Sequence, residues 1–203
     1  MWETLADDEK INKAKEVLIS NGINVEIAED KSAAIKILKK IIPEGSEVMT
    51  ASSTTLAQIG FLDMLKTGKN GWRDKKQLVL NEPDAAKRAE LRKHSVITKY
   101  FLGSVHAVTE DGKLLTASAS GSQLGAYAFT ADNLILVVGT QKIVKDLDDG
   151  FKRIKDESLR LEDKRMKDAG YKGSFIGEIL IMERIMPEAR KVTVIFIKEK
   201  LGF

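Results

Sequence analysis

Two short runs of hydroxyl residues carry the most suggestive chemistry in this chain. The first is Ser52-Ser53-Thr54-Thr55, and the second spans Thr116 to Gln123 (TASASGSQ), with neither a charge nor a large apolar side chain. Such runs bury little apolar surface. They allow close backbone approach and present hydroxyls, an amide and main-chain N–H groups ahead of a helix, where anions are held. Ser/Thr residues in the same place also serve as plain helix caps. The ligand reading therefore gains weight from clustering: Ser118, Ser120, Gly121, Ser122 and Gln123 are followed by an apolar stretch and then by Gly139 and Lys142. A lysine there could neutralise an anion held by the loop.

Glu110 is the candidate for bond-making chemistry. It precedes Asp111-Gly112, a strong hairpin signal because glycine accepts the positive φ of the turn. At a strand end, where α/β sheets build their sites, a partly desolvated carboxylate could act as nucleophile or general base. A solvated turn residue is the plainer reading of the same spacing. His106 lies in mid-strand, and a hydrogen-bonded core histidine accounts for it.

Composition removes other classes. The chain has no cysteine and only His94 and His106 as imidazoles, so neither a thiolate nor a multi-histidine metal site is expected. No P-loop and no G-x-G-x-x-G occur, which leaves no nucleotide or dinucleotide cofactor by those routes, and none is expected. A net charge of +3 without a basic run argues against nucleic acid. No apolar run approaches the roughly 18 residues of a membrane span, and the N-terminal residues are acidic and polar rather than leader-like. A soluble, cytoplasmic chain is the expectation.

The elements that must position these residues follow from periodicity. Helical spacing covers residues 9–20, 31–42, a stretch after Thr55 carrying Leu56, Ile59, Leu62 and Leu65, and the polar run 84–94. Strands are expected at 23–28, 47–51, 77–80, 101–109 and, as a buried strand, 191–197. Residues 142–169 read as a long edge helix with a thin apolar stripe, suited to the domain edge or to a second subunit, and residues 175–185 as an apolar helix. The alternation predicts one α/β domain over 1–203 with a mostly parallel sheet covered by helices on both faces.

SVHAVTEDGKLL, SGSQLGAYAF, ILVVGTQKIV and FIKEKLGF, with EVMTASSTTLAQIGFLDML upstream, together resemble the LUD-domain family, the lactate-utilisation proteins of the LutC type. The resemblance implies a Rossmann-like fold similar to the NagB/RpiA/CoA-transferase superfamily, whose members act on sugar phosphates, CoA esters and formyl-folates. Glu110 before Asp111-Gly112 resembles the catalytic glutamate motif of some family-I CoA transferases. In the lactate-operon type a Pro/Arg-rich stretch follows the acidic turn, where this chain has Ser120 to Ala126, so it resembles a short, stand-alone branch. Two readings stay open. One is an accessory or ligand-binding homodimer for a small anionic metabolite (sugar phosphate, CoA ester or organic acid), with iron–sulfur or flavin oxidoreductase subunits as partners in any lactate oxidation. The other is an enzyme using Glu110 on a CoA-linked or phosphorylated substrate.

Overall fold

A computed structural model describes residues 2–203. The apolar run of β10 (Lys191–Ile197) explains the centre of the architecture: its residues are buried on both faces, so helices or strands must cover both sides. It lies between β1 (Asn24–Ala28) and β7 (Ala131–Gly139) in a six-stranded sheet of order β1-β10-β7-β4-β2-β3. The remaining members are β2 (Glu47–Thr50), β3 (Arg73–Asp74) and β4 (Thr98–Gly103). Every pairing in it is parallel. This is the parallel, helix-flanked sheet that the periodicity predicts, in the Rossmann-like form that the family resemblance implies.

Alternate residues of the strands feed different cores. Ile135, Val137, Ile195 and Ile197 meet α2 (Lys31–Ile41), α3 (Thr54–Gln58) and α4 (Phe61–Thr67) through Leu38, Leu56 and Phe61. Leu134, Leu136, Val138, Val194 and Phe196 face α1 (Asp8–Ser20) through Ile11, Ala14 and Leu18. That second core also contains Val108, Leu114 and Met182 from a four-stranded sheet of order β8-β5-β6-β9. It is built from β5 (Ala107–Thr109), β6 (Leu114–Ser118), β8 (Ile143–Val144) and β9 (Glu178–Met182). Beyond it lies the helix α7 (Leu147–Arg153), carried through a π-helical turn at Ile154–Ser158 into α8 (Leu159–Asp168). Leu147 and Ile154 join Leu115, Ile179 and Ile181 in a third core. The apolar stripe therefore has a partner in its own chain.

Five expectations are corrected. Residues 77–80 are helical within α5 (Lys75–Leu80), because Asp74 caps that turn by accepting from Lys76 N at 3.0 Å. The strand expected at 101–109 is broken at Ser104, with its halves in different sheets. The helix expected at 175–185 is strand β9, antiparallel to β6: so short an apolar run has no decisive period, and β6 needs an edge partner. The long helix begins at Leu147, not Lys142, since Asp146 is its cap, accepting from Asp149 N at 3.1 Å. The helix after Thr55 breaks at Gly60, whose φ of 77° ends α3. The polar run is α6 (Ala85–His94), close to its predicted bounds.

Candidate functional site

The parallel sheet brings the ends of β2, β4, β7 and β10 to one edge, where Ser52 to Thr55 follow β2, and Gly139 and Lys142 lie at the end of β7; Glu110 and the Ser118–Gln123 loop follow strands of the small sheet. Ser53 caps α3 by accepting from Leu56 N at 3.2 Å, and Thr54 opens that helix. The helix has only one turn and a half, so its amides give weak support to an anion. Thr55 is buried and points the other way, 3.3 Å from the Ser104 hydroxyl. Ser52 alone remains exposed, and its Oγ accepts from Lys76 Nζ at 3.2 Å.

The second loop folds on itself. Ser118 Oγ accepts from Gly121 N at 3.0 Å and donates to Gln123 Oε1 at 3.1 Å. Ser120 Oγ donates to Ser122 Oγ at 3.3 Å, and Arg92 Nη2 of α6 donates to Ser122 Oγ at 2.9 Å. Gly121 backs onto the Glu178 carboxylate, so an anion fits the Ser122 side and not the Gly121 side. Burial holds the Lys76 pKa below its ordinary value; Asp74 opposes that shift, and Arg92, close enough to act on it, adds a smaller push in the same direction as burial. Among the described residues neither cation forms an ion pair with a carboxylate.

The expected pairing of Lys142 with Ser118–Gln123 is not what forms. Lys142 is 1% exposed, and its Nζ donates to Thr55 Oγ1 at 3.2 Å, Ser104 Oγ at 3.1 Å and Val105 O at 3.1 Å. Burial first, then the nearby Arg153 guanidinium, hold its pKa well below the ordinary value. Gly139 ends β7 directly under the segment after β10: a Cβ there would sit 2.7 Å from Glu199 O and 2.9 Å from Leu201 N.

Glu110 occupies the predicted hairpin, with Gly112 at φ 82°. Its carboxylate accepts from Lys13 Nζ of α1 at 2.7 Å, and Gly112 rests on Val17 and Asn21 of the same helix. The contacts of Glu110 run to α1 and to β8, where its N–H donates to Val144 O at 2.9 Å. None runs to the hydroxyl loops among the described residues. His106 is the hydrogen-bonded histidine expected: Nδ1 accepts from Ala117 N at 3.1 Å, and burial, Lys142 and Arg153 push its pKa down to about 3.

Sequence reasoning missed Lys76, Arg92 and Ser104. Ser104 had a readable signal, since Gly103-Ser104 ends β4 as Ala51-Ser52 ends β2. Lys76 and Arg92 had none, being ordinary basic residues of polar stretches far from either loop in sequence. Among the described residues no group of His, Asp and Glu side chains is arranged to hold a metal ion, and no helix is long and apolar enough to cross a membrane.

A parallel sheet with hydroxyl residues just beyond the C-terminal ends of its strands, as Ser52 follows β2 and Ser104 follows β4, is the arrangement of α/β proteins that take ligands outside their strand ends. The profile of the LUD domain matches residues 11–197, so the chain belongs to the LUD-domain family. Its fold is shared with a DUF162 family protein from Deinococcus radiodurans, at a TM-score of 0.58 and 12% identity over 96% of this chain and 99% of that one. Two partial likenesses, to eIF2B beta and eIF2B delta from Chaetomium thermophilum, have TM-scores of 0.35 and 0.34, with 18% and 14% identity. They cover 70% and 72% of this chain and 46% and 57% of those chains. No curated protein matches the sequence.

Proposed function

We propose that this LUD-domain protein is a ligand-binding subunit that holds a small anionic metabolite between the loops at Ser52 and Ser122. One observation carries the reading. Lys76 and Arg92, two cations outside any direct ion pair among the described residues, each donate to a hydroxyl of a different loop. Burial and Arg92 both disfavour the charged Lys76 and Asp74 opposes them, and an anion bridging the two cations would favour the charged form further. The loops supply hydroxyl donors around it, through Ser52, Ser120 and Ser122. The ligand class is an organic acid, a sugar phosphate or the phosphate end of a CoA ester. In lactate utilisation the electrons would pass through iron–sulfur or flavin partner subunits, which co-purification would reveal.

A thermal-shift panel of lactate, pyruvate, sugar phosphates and CoA esters tests the reading on the wild type beside Lys76→Gln/Arg92→Gln. A ligand at a hundredfold its Kd stabilises the native state by about 2.7 kcal/mol, a shift of several degrees. The shift should vanish in the double variant. An equal shift in both proteins would move the site elsewhere. Catalysis by Glu110 has less support, because Lys13 and the hairpin tie it to α1.

A further inference from the structure

The segment after β10 closes over Lys142. Gly202, at φ 61°, lies so near that an added Cβ would overlap Thr55 Oγ1 and sit 3.1 Å from Lys142 Nζ. Side chains hold this segment from two sides. Gly202 N donates to Gln58 Oε1 at 2.6 Å, and Gln141 Nε2 donates to Leu201 O at 2.8 Å. Beneath it are a lysine with neutral partners only and the hydroxyls of Thr55 and Ser104. A buried amine whose charged form has no counter-ion is costly to keep. A core built for packing alone would not retain that set.

We infer that Lys142, Thr55 and Ser104 form an inner oxyanion subsite, for a phosphate or carboxylate group, which the Leu201–Gly202 segment covers and uncovers. The inference deepens the anion-binding reading. Ser52 and Thr55 are three residues apart in one loop, so the inner subsite adjoins the outer one. Burial disfavours the charged lysine while the site is closed. An anion beside it favours the charged form.

The test is the rate at which cyanate carbamylates Lys142, read by peptide mass, in the wild type, Gly202→Ala and Gln58→Ala, with and without inorganic phosphate. Gly202→Ala should displace the segment and raise the rate at least tenfold. Gln58 is exposed, so its loss spares the core; removing one hydrogen bond should raise the rate two- to tenfold. Phosphate should slow the reaction in both variants. If Gly202→Ala does not fold, Gln58→Ala decides alone. Unchanged rates would overturn the cover, and acceleration that phosphate does not slow would overturn the subsite. Phosphate protection that survives Lys76→Gln/Arg92→Gln would keep the inner subsite while removing the outer one.

Discussion

At the residue scale, ion pairing sets Glu110 apart from the cations of the proposed site. Lys76 and Arg92 lie outside any direct ion pair among the described residues, whereas Glu110 is satisfied by Lys13. Glu110→Gln should therefore leave ligand-induced stabilisation within a few tenths of a degree of wild type, and a lost shift would restore Glu110 to the site. His106 gives a second prediction. Its folded pKa of about 3 lies below the unfolded value of about 6.5, so the unfolded chain binds more protons between those limits. Stability from its neutral ring is complete above pH 6.5 and is lost as pH falls toward 3, by at most about 1.4 kcal/mol per pH unit. His106→Asn can keep an acceptor for Ala117 N–H. It should flatten that slope in urea melts from pH 7 to pH 4.5, and an unchanged slope would place the titration elsewhere.

At the element scale, the break after β4 decides the site. Tyr127, on the π-helical turn Ala126–Thr130, donates its hydroxyl to Ser104 O at 2.9 Å and accepts from Ser104 N at 3.1 Å. Those bonds replace ladder pairing where the strand leaves the large sheet. The Tyr127 hydroxyl also lies where a Gly103 Cβ would be. Gly103→Ala must push the ring out, and overpacking of that kind costs about 1–3 kcal/mol. A lower urea midpoint at unchanged m would show it; an unchanged midpoint would mean that the turn yields freely.

At the scale of the whole molecule, one core joins the two sheets, since Val108, Leu114 and Met182 of the small sheet pack with Leu134, Leu136 and Phe196 of the large one. Unfolding either sheet alone would expose that shared surface. The tryptophans sit on opposite flanks, Trp72 in the core under α4 and Trp2 against the small sheet. In Trp2→Phe and in Trp72→Phe, the remaining fluorescence should follow the far-UV circular dichroism to the same urea midpoint. Separate midpoints would mean that the sheets unfold independently.

Local pattern determined much of this protein from its sequence: the two-sided apolar run of β10, the helices α1, α2 and α6, the hairpin at Asp111-Gly112 and the two hydroxyl loops. Each is set by period or turn chemistry within a dozen or so neighbouring residues. Tertiary structure decided the rest. Whether Ile179 to Ile181 formed helix or strand depended on an open edge of β6 sixty residues earlier in the chain. Which cation reached which hydroxyl depended on how α5 and α6 lie beside the strand ends. Lys142 went to Thr55 and Ser104, and Arg92 took Ser122. Charge pairing acts through space over a few ångströms, and no spacing along the chain records it.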